Sequence, residues 1–96
     1  MPAAYLIAEV DVQDPAAYER YKQLVPGAIA AYGGKFIVRG GTVDSKEGGW
    51  TPARIVVVEF PSMAQARKFY DSPEYAEALA LRLRTTKSRL ILVEGA

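Results

Sequence analysis

The chain contains no cysteine and no histidine. Without cysteine there is no disulfide to staple a small fold, no thiolate metal site and no cysteine nucleophile. Without histidine the usual general base near neutral pH is gone. So are the Ser-His-Asp triad, His-ligated zinc and His-ligated haem. No cofactor or metal site is therefore expected, and any chemistry must use carboxylates, tyrosines, lysines or arginines. Long apolar runs are missing too; none approaches the roughly 20 residues of a membrane span. The opening MPAAYLIAEV has no basic region ahead of a long apolar stretch, so no signal peptide is expected. Charge of one sign is not in excess. Twelve basic and eleven acidic residues leave a net charge of +1 without a basic block, which argues against nucleic acid as a partner. A cysteine-free chain with neither a signal peptide nor a span is expected in the cytoplasm.

What remains is 96 residues, one domain's worth of chain. A domain of this size buries only roughly 60–65% of its unfolded surface, so a partner would add needed stability. The first strand is expected over Ala4 to Val12, with Tyr5, Ile7, Glu9 and Asp11 on one face and Leu6, Ala8, Val10 and Val12 on the other. Asp14-Pro15 is a helix start. Tyr18, Tyr21, Leu24 and Val25 follow at helical spacing, Pro26-Gly27 is expected to break or kink the helix, and Gly33-Gly34 to end it. Lys35 to Arg39 and Arg54 to Phe60 read as strands joined by a glycine-rich connection. Ser62 caps a helical segment through Asp71, and Ser72-Pro73 starts another that runs to about Arg84, with Tyr75, Leu79 and Leu83 spaced by four. Leu90 to Glu94 is the last strand.

The order strand, helix, strand, strand, helix, strand predicts an α+β ferredoxin-like βαββαβ fold with a four-stranded antiparallel sheet. Right-handed crossovers place the helices on one face. Yet the strands are apolar on both faces: Ile55 and Val57 oppose Val56, Val58 and Phe60, Phe36 and Val38 oppose Ile37, and Leu90 and Leu92 oppose Ile91 and Val93. The open face therefore needs a cover, and a second copy in a homodimer is the expected one.

Several residues stand out against this pattern. Arg39 and Arg54 flank the connection and come close to facing each other if the strands form a hairpin. Like charges so placed are destabilising unless an anion joins them, either Glu47 from the loop or a small anionic ligand held bidentately. Glu59 interrupts the most apolar strand, and a desolvated carboxylate there suits a general acid or base; a pairing with an arginine is the plainer reading. Tyr70 and Tyr75 bracket the break between the two helical segments, either orienting a ligand or filling the core with wet tips. Arg82 shares a helix with Tyr75 and reaches the same place, or else forms a surface salt bridge. Trp50, in a loop between Gly49 and Thr51, marks a pocket lid or a dimer rim.

Taken in order, Tyr18-Glu19-Arg20-Tyr21, Tyr32-Gly33-Gly34-Lys35-Phe36-Ile37-Val38-Arg39-Gly40-Gly41, Glu47-Gly48, Arg54 through Ser62, Tyr70 through Tyr75, Arg82 and Glu94-Gly95 span almost the whole chain. In this ordered set the sequence resembles the bacterial domain of unknown function 1330 family, within the dimeric α/β-barrel superfamily. The resemblance implies one domain over residues 1–96, a ferredoxin-like subunit, and a dimer whose sheets face each other. It implies no activity. Two function classes stay open. One is a metal-free enzyme acting on a small anionic or carbonyl compound between sheet and helices, with Glu59 carrying the proton, Arg39, Arg54 and Arg82 binding the anion, and Tyr70 and Tyr75 orienting it. The other is a non-catalytic ligand-binding or homodimeric assembly module.

Overall fold

The computed structural model describes residues 2–96. Elements follow in the order β1 (Ala4–Val12), α1 (Pro15–Ala31), β2 (Lys35–Arg39), β3 (Ile55–Phe60), α2 (Met63–Tyr70), α3 (Pro73–Thr85) and β4 (Thr86–Glu94). The strands form one antiparallel sheet in the order β2-β3-β1-β4. This is the βαββαβ plan, its second helical segment divided in two at Asp71-Ser72.

Local chemistry sets the helix starts. The Ala17 N–H donates to Asp14 Oδ1 (3.2 Å), that of Gln65 to Ser62 Oγ (3.1 Å) and that of Tyr75 to Ser72 Oγ (3.2 Å). Each cap satisfies a donor that the first helical turn leaves free. Ser72 also donates to the Phe69 carbonyl at 2.7 Å, so one buried hydroxyl ends α2 and begins α3. Gly33, at φ +76°, turns the chain out of α1. Gly34 follows so tightly that a Cβ there would sit 2.7 Å from both Ile29 and Phe60.

The core lies between the sheet and the helices. Ala4, Leu6, Ala8 and Val10 of β1 and Val58 and Phe60 of β3 meet Tyr18, Val25 and Ile29 of α1, Phe69 of α2 and Tyr75 of α3. The Phe69 ring lies 5.1 Å from that of Phe60 and 4.4 Å from that of Tyr75. On the other face the sheet presents apolar side chains to solvent, among them Ile91 (56% exposed), Val93 and Val38.

Four details depart from the sequence reading. First, α1 does not break at Pro26 but runs through it. Val25, Ala28 and Ile29 are all buried in the core, and that packing offsets the helix bond that proline removes. Second, a bulge between Phe36 and Val38 shifts the register of β2. Phe36 pairs with Val58 on the helix side, Val38 with Val57 on the open side, and Arg39 with Val56 on the helix side again. Third, β4 begins at Thr86, directly after α3, four residues before its apolar half. Fourth, the buried stripe of α3 runs through Tyr75, Ala78, Arg82 and Thr85, while Leu83 is 60% exposed. A helix turns once in 3.6 residues, so a strict spacing of four drifts off the buried face.

A candidate anion site between sheet and helices

The sheet, α1 and α3 enclose a cavity of about 30 Å³. A cavity of roughly 10–15 Å³ on this measure takes one water, so the closed shape has room for a few small atoms. Its floor is apolar, built from Leu6, Ala8 and Val10 of β1, Val56 and Val58 of β3, and Leu90 of β4. Its polar lining is cationic and phenolic: Lys22, Arg39, Arg54 and Arg82, with Tyr18, Tyr21 and Tyr75. Among the described residues no carboxylate lines it.

Arg39 enters because the β2 bulge turns it to the helix side. Its guanidinium lies 4.3 Å from the centre of the Phe36 ring, and Nη2 donates to the Lys22 main-chain carbonyl at 3.3 Å. That carbonyl is the one Pro26 leaves without a helical donor. Arg54 reaches the same end of the hairpin. Its guanidinium packs against Gly40, which takes φ +71°, and sits 6.0 Å from the Tyr18 ring. Arg54 Nε is buried and, among the described residues, has no hydrogen-bond partner.

Arg82 is only 3% exposed. Nε donates to the Tyr75 hydroxyl at 3.3 Å and Nη1 to Ser88 Oγ at 2.6 Å. The Thr86 hydroxyl donates back to the Arg82 carbonyl at 2.6 Å. The polar start of β4 is therefore the arginine's seat. Among the described residues neither Arg39, Arg54 nor Arg82 forms an ion pair with a carboxylate; the bridges present are Arg20–Glu77, Lys22–Glu19, Lys35–Glu59, Lys46–Asp44 and Arg89–Glu9. A guanidinium stays charged in any protein, so Arg82 holds a buried positive charge against neutral oxygens alone. The hydroxyls of Tyr21 and Tyr75 lie 3.3 Å apart. Burial, followed by the neighbouring Tyr75 oxygen, pushes the Tyr21 hydroxyl far above its usual range, so it stays protonated.

Of the residues singled out in the sequence, Arg39, Arg54, Tyr75 and Arg82 meet at this cavity. Tyr70 does not line it; its ring stands 6.0 Å from that of Tyr75. Glu59 is on the opposite face of the sheet, because its neighbours Val58 and Phe60 take the helix side. There it pairs with Lys35 at 3.3 Å and accepts from the Tyr5 hydroxyl at 3.2 Å. The shared cleft of Glu59 and the arginines is thus corrected by strand alternation. Glu47 is exposed and joins neither arginine. Trp50 also leaves the cavity: its Nε1 donates to Glu9 Oε2 at 2.9 Å, and Glu9 accepts from Arg89 at 2.8 Å. A wider, open groove of about 440 Å³ runs beside this cluster, lined by both charge signs.

The sequence reading missed Lys22, Thr86 and Ser88 at this site. The signal for the last two was present: Thr86 and Ser88 alternate with Lys87 and Arg89, a polar strand pattern beneath a helix that carries Arg82 on its buried stripe. Among the described residues no cluster of three acidic side chains is placed to hold a metal, and no helix is long and apolar enough to cross a membrane.

An antiparallel β2-β3-β1-β4 sheet with its helices on one face is a ferredoxin-like fold. The chain belongs to the family described as Domain of unknown function (DUF1330), whose model matches residues 3–96. No curated protein matches the sequence. Among solved structures, it is similar to the RPA0582 protein of unknown function from Rhodopseudomonas palustris, at 19% identity and a TM-score of 0.75, over 99% of this chain and 83% of that one. A dimeric ferredoxin-like protein of unknown function from Jannaschia sp. CCS1 is 13% identical with a TM-score of 0.75, over 97% and 99%. SnoaB, a cofactor-independent oxygenase from Streptomyces nogalater, is 12% identical with a TM-score of 0.71, over 100% and 95%. At these identities the likeness extends to the fold.

Proposed function

We propose that this protein binds a small anionic compound in the cavity between its sheet and α1 and α3, and does so as a homodimer joined through the open sheet face. One observation carries the ligand: three guanidinium groups line one cavity, and among the described residues none has a carboxylate partner. An unpaired ion taken out of water, as the buried Arg82 is, costs several kcal/mol even after relaxation, and an anion entering the cavity would recover much of that. The lining supplies donors and apolar surface, and no carboxylate to act as a base. That composition supports binding more directly than proton transfer.

The dimer rests on the exposed Ile91, Val93 and Val38 of the uncovered face and on the Jannaschia relative of the same fold, which is described as dimeric. A thermal-shift screen of small carboxylates tests the ligand. At a hundred times Kd, linkage adds about 2.7 kcal/mol, which raises Tm by roughly 10–20 °C in a domain this small. No shift with any anion, in a protein that melts cooperatively, would remove the reading.

A further inference from the structure

We infer that the anion is a short apolar monocarboxylate: a single two-oxygen head that only accepts hydrogen bonds, carried on one or two carbons, the size that a cavity of about 30 Å³ admits. This rests on the anion-site reading above and narrows it to one chemical class.

The argument begins with a count of protons. Tyr21 and Tyr75 hold two hydroxyl protons between them and share one hydrogen bond. The Tyr75 oxygen already accepts from Arg82 Nε. Whichever hydroxyl donates across the pair, the other keeps a proton with no acceptor in the protein. Arg54 Nε adds a second donor, buried and unmatched. The acceptors nearby are already engaged. The Lys22 carbonyl takes Arg39, and Ser88 Oγ takes Arg82. A buried donor without a partner costs about 1–3 kcal/mol, so the cavity favours a guest that brings acceptors. An ionised carboxylate brings about four acceptor sites and no donor. An amide or an alcohol brings its own proton and would leave it unmet.

The rest of the cavity limits the charge to one. Leu6, Ala8, Val56, Val58 and Leu90 form its floor, and Val25 and Ile29 reach it from α1. A second carboxylate, or the extra charge of a phosphate, would be stripped of water against these side chains. A methyl or ethyl group placed there gains from burial instead. Arg39 is exposed, so its charge is met by solvent and calls for no second anion.

The experiment is isothermal titration calorimetry on the full chain with acetate, propionate, acetamide, succinate and inorganic phosphate. The expected order places acetate or propionate at least tenfold tighter than succinate and phosphate, with no binding of acetamide. Arg54→Lys keeps the charge, removes Nε, and is expected to weaken the monocarboxylate at least fivefold. Tyr21→Phe removes one of the two hydroxyl protons, lets Tyr75 turn its own toward the ligand, and is expected to weaken it less. Equal affinity for succinate or phosphate would overturn the monocarboxylate and leave the anion site standing. Binding of acetamide as tight as acetate would overturn the acceptor-only argument. Absence of binding by every probe would overturn this inference together with the proposed function. Circular dichroism of each variant separates lost binding from lost folding.

Discussion

The guanidinium of Arg39 caps the one carbonyl in α1 that Pro26 has orphaned, that of Lys22. Proline cannot donate, so the carbonyl four residues earlier needs another partner. A β2 residue supplies it, and the strand bulge at Ile37 is what turns Arg39 to the side where it can. Two features that each look like a local defect are thus joined by one hydrogen bond at the edge of the cavity.

A double-mutant cycle measures that joint. Arg39→Ala alone is expected to cost about 0.5–1 kcal/mol, for one exposed hydrogen bond and the contact with the Phe36 ring. Pro26→Ala restores a helical N–H to the Lys22 carbonyl. In that background Arg39→Ala should cost measurably less. Strictly additive effects in urea unfolding would mean the two residues are independent.

Arg82 separates stability from function. It is a buried cation without a carboxylate, and replacing such ions with apolar groups of similar volume is often neutral or stabilising. Arg82→Met is therefore expected to unfold at the same or higher denaturant concentration, while losing its response to small carboxylates. A loss of more than about 3 kcal/mol would assign the arginine a purely structural role.

Ser72 offers a control on position. Ser72→Ala removes the cap of α3 and the bond to the Phe69 carbonyl, and is expected to cost about 1–2 kcal/mol. Because α3 carries Tyr75 and Arg82, carboxylate affinity should fall with it. Ser62 caps only α2, so Ser62→Ala should lower stability by about 1 kcal/mol with affinity unchanged. Chemical denaturation paired with titration distinguishes the two.

The open face is tested by Ile91→Asp and Val57→Asp. Both side chains lie on the side away from the helices, with Ile91 opposite Ile7 and Val57 opposite Ile7 from the other strand. Each substitution is expected to shift sedimentation from dimer to monomer without loss of helical signal. A wild-type monomer at high micromolar concentration would remove the homodimer altogether.

The lone tryptophan reports on Glu9. The hydrogen bond from Trp50, then that from Arg89, holds the Glu9 carboxyl below its usual range. A carboxylate depressed in the folded state keeps its partners above its unfolded pKa and loses them as pH falls through the lower folded value. Trp50 emission should therefore be constant from neutral pH down through the ordinary carboxylate range and change only below it. Glu9→Gln should flatten that acid limb.

Much of the fold was written locally. Asp14, Ser62 and Ser72 stand where caps belong, and each forms one. Alternation in β1 and β3 set the two faces of the sheet, because a side chain in a strand has only two directions to point. The absence of histidine and cysteine settled which chemistries were closed before any coordinate was known. Three things needed the tertiary structure. A helix passing through Pro26 depends on distant packing of Val25, Ala28 and Ile29 and on a donor from another strand. The side on which Arg39 falls depends on a bulge, a mismatch between two strands that neither contains alone. The company of Arg82 depends on β4 folding back beneath α3, so that Ser88 and Tyr75, six and seven residues away along the chain, meet it where no carboxylate does. Local sequence decides propensity and face; which charges end up without partners is decided by what folding brings within reach.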